Sequence, residues 1–466
     1  MQQIIEANPL SYKQRHWIML GLSLSILVSS LATSMSNVAL PHLTQVFNAS
    51  MQAVQWVVIA YLLVITSLVV SLGRLGDILG NRRMLLIGMF IFALASLLCA
   101  MANTLIWLVL ARALQGLGAA IMLALSMALM SKTQQKSGRA MGVWGSMSAA
   151  GTALGPALGG MSLSLFGWQS LFLLTLPLTL VAFFILYRAL PTEQVIYKEK
   201  AQLDVKGNLL LSLSLTFFAL AMTLNPNQLG PLNMGLFGMA ILGILLFFQI
   251  EKTQSSPLIP PQLVQHKAIT LGFINCAITA SVVMTSLILG PYYLSISLGL
   301  SEYQFGLVMS TGPIMVALSG VPAGYLVDKI GARNLTFMGL ILMLTGCIFM
   351  SANSPDTGVF GYIFALITIT LGFSFFQTAN STDLMSQATS AHKGVMSGLL
   401  NLARNLGFIT GATLMSSLFF YFIGKEQLLF ATEQEVTQAL QGTFLVAAGL
   451  VFFPFFFSLR KKAQSQ

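Results

Sequence analysis

The chain has 466 residues, 56% of them apolar and only 8% charged, with a net charge of +10. So few charges cannot cover a soluble globule of this size, which excludes a soluble fold and makes hydrocarbon the expected solvent. The positive balance follows from membrane insertion topology and needs no nucleic-acid partner.

A bilayer core of roughly 30 Å takes about twenty residues of helix at 1.5 Å per residue. Apolar runs of that length are predicted at 17–39, 55–74, 83–102, 105–129, 140–163, 169–190, 207–225, 231–250, 270–294, 304–326, 334–352, 358–381, 398–421 and 441–459. These are fourteen segments of an all-α membrane protein. Placing both termini in the cytoplasm leaves Lys425 alone outside and strands Arg112 and Arg404 within helices, while every other Lys and Arg falls inside. The first segment follows Lys13, Arg15 and His16 and exceeds the apolar region of a signal peptide, so a retained anchor is expected. It offers Ser25, Ser29, Thr33 and Ser36 near one face, followed by Asn37.

The turn after the second segment reads GRLGDILGNRR (73–83), with Gly73, Asp77, Gly80, Arg82 and Arg83. Taken once, it is a solvated turn obeying the charge bias. It occurs twice. GYLVDKIGARN at 324–334 aligns without a gap and supplies Gly324, Asp328, Gly331 and Arg333. An in-register copy marks an internal duplication. Gly73 and Gly324 are expected to let helices approach, and Gly80 and Gly331 to make tight turns. The Asp is expected to cap a helix or pair with an Arg of the adjoining bundle as a cytoplasmic latch.

In the fourth segment, LARALQGLGAA buries Arg112 with Gln115 one turn on. A charge at that depth costs about 2.5 to 3.5 kcal/mol on insertion scales, so it is expected to face the bundle interior or a wet cavity. The plainer reading is a structural Arg satisfied by carbonyl oxygens. Arg404, in GLLNLARNLGF, invites the same two readings. In the fifth segment, GTALGPALGG puts Gly151, Gly155 and Gly159 on one helix face, with Gly160 beside them and a kink at Pro156. Ordinary small-residue packing accounts for this as well as a transport role does. Gly138, Gly142, Gly151 and Gly155 map onto Gly394, Gly398, Gly407 and Gly411, so the repeat spans most of each half.

The expected organisation is a bundle of six helices over 1–190, a cytoplasmic linker at 191–206, two inserted helices over 207–250, and a second six-helix bundle over 251–466. Trp17, Trp56, Trp107 and Trp168 fall near helix ends, where an interfacial belt is expected. Cys99, Cys276 and Cys347 lie inside predicted helices without metal-like spacing, so neither a disulfide framework nor a metal site is expected. Among the acids only Asp383 lies near a helix interior, the others belonging to loops or termini.

These three strings resemble the G-x-L-x-D-x-x-G-x-R, R-x-x-Q-G and G-x-x-x-G-P-x-x-G-G motifs of the major facilitator superfamily, specifically its fourteen-helix drug:proton antiporter branch. SNVALP at 36–41 resembles the end of that branch's first-helix motif. The resemblance implies a multidrug exporter of amphipathic small molecules working by alternating access. It further implies proton antiport, a bacterial inner-membrane location, no cofactor and no enzymatic activity. Arg112, Gln115, Asn37, Thr33, Asp383 and Arg404 would then line the coupling region and cavity. The chain departs from the pattern at Ala32, where an Asp usually stands, which favours neutral or anionic substrates over cations. Gln169 and Thr175 replace an Arg and an Asn and are expected to tune packing. A dedicated exporter of one endogenous metabolite keeps the same fold, and a facilitating channel or a membrane sensor is a further alternative. The chain is expected to be monomeric.

Overall fold

The computed structural model describes residues 11–133, 137–191, 205–224, 230–253, 266–387, 393–424 and 431–463. All the regular structure there is helical. The N-terminal half contains α1 (Tyr12–Val38), α2 (Leu40–Val46), α3 (Met51–Leu79), α4 (Asn81–Ala100), α5 (Leu105–Thr133), α6 (Ser137–Phe166), α7 (Ser170–Leu173) and α8 (Thr175–Ala189). Then follow α9 (Val205–Thr223) and α10 (Pro231–Thr253). The C-terminal half contains α11 (Lys267–Tyr292), α12 (Glu302–Ile330), α13 (Ala332–Ser351), α14 (Gly358–Gln387), α15 (Lys393–Thr410), α16 (Ser416–Ile423) and α17 (Glu433–Ala463). Short π-helical turns at Tyr293–Ser297 and Gly411–Met415 carry α11 onward and join α15 to α16.

Twelve helical stretches among the described residues are long and apolar enough to cross a membrane. A thirteenth is α12, which bends by 48° between Gly320 and Pro322, where proline removes a backbone hydrogen bond. The expected fifth segment is present as α6, a helix of 30 residues. The predicted linker lies almost wholly outside the described residues.

The duplication is visible in how helices touch. An added Cβ at Gly118 of α5 would meet Phe92 N at 2.6 Å and Gly88 O at 2.7 Å, so α4 and α5 cross backbone to backbone. At the matching crossing, a Cβ at Gly372 of α14 would meet Met343 N of α13 at 2.6 Å and Gly339 O at 2.6 Å. Likewise Gly151 and Gly155 of α6 abut Ser30 and Ser34 of α1, while Gly407 and Gly411 abut Ala280 and Met284 of α11. Small residues recur at the same points because only they let helix axes approach this closely where no water drives association.

Contacts also orient the helices. Successive glycines of α6 meet successively later residues of α1, so these two run parallel, and Gly160 near the end of α6 meets Glu302 and Gly306 at the start of α12. α12 therefore begins at the far end of the bundle from Tyr12 and finishes at the near end. Arg82, just after the α3–α4 turn, donates to the Tyr187 carbonyl of α8, and Gln14 of α1 donates to the Ala189 carbonyl. Both duplicated turns thus lie at one end of the molecule.

α9 and α10 pack chiefly on each other and dock across the seam between the halves. Trp56 Nε1 of α3 donates to Thr223 Oγ1 at 3.1 Å, Asn208 bonds Ser71, and Ser417 of α16 donates to the Met222 carbonyl. The tryptophans do not form one uniform belt. Trp17 and Trp107 are exposed, whereas Trp168 is buried edge-on between Phe47 and Phe172 and Trp56 is engaged by Thr223. The three cysteines are free and buried.

Candidate functional site

The polar cluster around Arg112 is enclosed by the N-terminal half. Its guanidinium is 0% exposed. Nε donates to the Val57 carbonyl of α3 at 2.9 Å, and Nη1 donates to Gln115 Oε1, one turn on, at 2.5 Å. The guanidinium carbon lies 4.1 Å from the Tyr61 ring centroid and 5.8 Å from that of Phe172. Gln115 Nε2 donates to Ser96 Oγ of α4 at 2.8 Å, and Thr175 of α8 donates to the same hydroxyl at 3.2 Å. Tyr61 donates to the Ser29 carbonyl of α1 at 2.9 Å, as Thr33 does at 3.1 Å. One side chain thereby ties together α1, α3, α4, α5 and α8. Gly116 makes room for it, since a Cβ there would meet the Tyr61 carbonyl at 2.7 Å.

Every group holding the Arg112 cation is neutral: a carbonyl, an amide and aromatic faces. Among the described residues no carboxylate pairs with it, and Nη2 has no hydrogen-bond partner. Such a shell offsets the cost of burying the charge through ion–dipole and cation–π attraction while leaving the net charge in place. Ala32 of α1 is 4% exposed. Asn37, further along α1, is buried with both amide atoms unpartnered among the described residues.

The structure does not bring the other expected residues of this region to Arg112. Arg404 sits in the C-terminal half on α15, where Nη2 donates to Asn401 Oδ1 at 2.6 Å. Asn401, Arg404 and Asn405 share one face of α15, opposite apolar residues such as Leu399 and Leu402. Asp383 is half-buried in the last turn of α14, with no ion pair among the described residues. The inventory of acids also changes. Glu251, just past a predicted segment, belongs to α10 and is 2% exposed, and Asp77 and Asp328 occupy last helical turns where loops were expected.

At the duplicated turns, Gly80 (φ 94°) and Gly331 (φ 85°) adopt the left-handed region that glycine alone enters without strain. Gly73 and Gly324 do not mark close approaches: a Cβ at Gly73 would only graze Ala124 at 3.8 Å, and one at Gly324 would meet open space. Gly76 makes the approach instead, against Leu125 and Asn81. Arg82 stacks on Tyr187 at 5.7 Å within its own half, Arg83 and Asp328 are exposed, and Arg333 is half-buried. The Asp77 side chain lies outside the described residues.

The far end of the seam is closed by α6 against α12. A Cβ at Gly160 would lie 3.1 Å from Gly306 Cα, and the Pro156 carbonyl occupies the space where a Gly306 side chain would go. Gly159 packs more loosely, 3.4 Å from Met35 Cα. Beside this contact His42 Nδ1 of the N-terminal half lies 3.7 Å from Glu302 Oε1 of the C-terminal half. Sequence reasoning passed over Tyr61, Ser96, Phe172 and the His42–Glu302 pair. Polar or aromatic breaks in apolar runs were the available signal for the first three, and the last had none.

The sequence model described as Major Facilitator Superfamily matches residues 22–412. The riboflavin transporter RibZ of Clostridioides difficile is 29% identical over 94% of this chain and 96% of its own length. The multidrug resistance protein Stp of Mycobacterium tuberculosis is 28% identical over 82% of this chain and 71% of its own. Among solved structures, a bacterial homolog of the human lysosomal transporter Spinster, inward-facing and unoccupied, superposes with a TM-score of 0.71. It has 12% identity and covers 96% of this chain and 97% of that one.

Proposed function

The chain belongs to the Major Facilitator Superfamily, and from that membership we propose that it exports amphipathic or lipophilic small molecules from the cytoplasm by alternating access, in exchange for protons. Export requires two bundles that rock about their seam. In this reading the fourteen helices divide into bundles over 1–190 and 251–466, the turn end is cytoplasmic, and the protein resides in the bacterial inner membrane as a monomer. The face of α6 bearing Gly151, Gly155 and Gly159 carries motion between α1 and, through Gly160, α12.

The observation that carries the reading is the buried Arg112 cation in its neutral shell, linked through Tyr61 to α1. A positive charge without a resident carboxylate repels cationic cargo and favours neutral or anionic molecules. It also gives the coupling step an electrostatic centre: an acid elsewhere that gains or loses a proton, such as Asp383 or Asp77, changes the field that Arg112 feels. The decisive experiment is dye efflux from reconstituted vesicles under an imposed pH gradient. Efflux that follows the gradient and is lost in Arg112→Ala supports the reading. Gradient-independent efflux together with parental behaviour of Arg112→Ala overturns it.

A second reading, a dedicated exporter of one endogenous metabolite, is favoured by the similarity to the riboflavin transporter along nearly the whole chain. Riboflavin competing with every dye would support this narrower role. Several chemically unrelated dyes exported without mutual competition would exclude it.

A further inference from the structure

α1 and α8 are in tight contact at Gly21, where an added Cβ would meet Leu186 Cγ at 2.6 Å and Ile185 Cγ2 at 3.1 Å. Between that contact and the start of α1 they part, leaving an open cavity of about 490 Å³ at the end of both spans. Lys13, Trp17 and Gly21 share one face of α1 at a spacing of four, and Phe184 and Arg188 share one face of α8 at the same spacing. On each helix a cation therefore stands one turn above an exposed aromatic ring, Trp17 at 46% and Phe184 at 59% exposure. Gln14 donates to the Ala189 carbonyl at 2.9 Å and fixes the spacing of the two rims. Lys13 and Arg188 are exposed and make no hydrogen bond or ion pair within the described residues.

We propose that this groove binds an anionic phospholipid, with the phosphate between Lys13 and Arg188 and an acyl chain along Trp17 and Phe184. The order of chemistry along both helices, cation then aromatic then aliphatic, matches the order from headgroup to chain in a lipid leaflet. A free anion would use the two cations and leave the apolar wall idle, so the lipid is the occupant that satisfies the whole groove. The site faces the bilayer and is separate from the seam between the halves, so it stands whether or not the export reading holds.

Native mass spectrometry of the purified full-length protein tests the proposal by titration with phosphatidylglycerol, phosphatidylcholine or glycerol 3-phosphate. Preferential retention of phosphatidylglycerol is expected, with about tenfold weaker binding in the double variant Lys13→Gln/Arg188→Gln. Lys13→Arg/Arg188→Lys should bind like the parent. Equal retention of the two lipids, undiminished binding by the neutral double variant, or equally tight binding of glycerol 3-phosphate would overturn it. A second measurement uses no charge variant. In vesicles, brominated phosphatidylglycerol should quench parental tryptophan fluorescence more than brominated phosphatidylcholine, and Trp17→Phe should abolish the difference. Equal quenching by the two lipids overturns the proposal.

Discussion

The Tyr61 ring and the Arg112 guanidinium form a cation–π pair at 4.1 Å in a fully buried site, and the same tyrosine hydroxyl grips the Ser29 carbonyl of α1. The pair couples the buried charge on α5 directly to the first helix. In a desolvated setting such a contact is worth about 2 kcal/mol, and the hydroxyl bond adds about 1 kcal/mol.

The two contributions separate by substitution. Tyr61→Phe keeps the ring and should lower stability by about 1 kcal/mol, whereas Tyr61→Leu should lose about 3 kcal/mol as both interactions go. Thermal unfolding of the purified variants in one detergent provides the comparison. Equal losses would show that the ring face contributes nothing.

Arg112→Lys should be a poor replacement although it keeps the charge. An ammonium cannot donate to Val57 and Gln115 in one planar fork while lying flat on Tyr61. Transport is expected to fall at least about tenfold, corresponding to about 1.4 kcal/mol, with the protein still folded. Initial efflux rates from vesicles holding matched amounts of protein decide the matter.

Gly160→Val should prop open the seam between α6 and α12, because the branched side chain must displace the Glu302 carbonyl or Gly306. The native cysteines are all buried, so a reporter thiol at Glu302→Cys can be followed by a membrane-impermeant maleimide. Labelling should rise several-fold when Gly160→Val is added. The reporter substitution itself removes the His42–Glu302 contact, a half-exposed pair worth at most about 1 kcal/mol, so labelling of Glu302→Cys alone is the baseline and should stay low.

Ala32→Asp places a carboxylate on α1, one residue before Thr33. Acquired or strengthened export of cationic dyes, with neutral dyes unaffected or slowed, is the expected result. Ratios of cationic to neutral dye efflux that match the parent would show that the charge at this position does not select cargo.

Gly80→Ala and Gly331→Ala should each cost about 1 to 2 kcal/mol, because both backbones sit at positive φ. Gly324→Ala should cost almost nothing, since a Cβ there meets open space. Thermal unfolding of the three variants in parallel distinguishes the turn glycines from the merely repeated one.

The solvent, the helical class and the doubling were all legible in the amino-acid order, because each rests on local composition. A run of apolar residues must form a helix in hydrocarbon, and a charged string copied in register reports the duplication without reference to contacts. The turn roles of Gly80 and Gly331 were legible for the same reason: backbone conformation at a tight turn is a property of a few adjacent residues. Which residues serve Arg112 depends on how the helices pack. Val57, Tyr61, Ser96, Phe172 and Thr175 come from α3, α4, the α7 turn and α8, and the sequence spacing between them carries no information about distance. Packing likewise moved the close approach from Gly73 to Gly76 and paired His42 with Glu302 across the halves. Helix rotation and the register between segments far apart in the chain fix those contacts, and both are set by packing of the whole bundle.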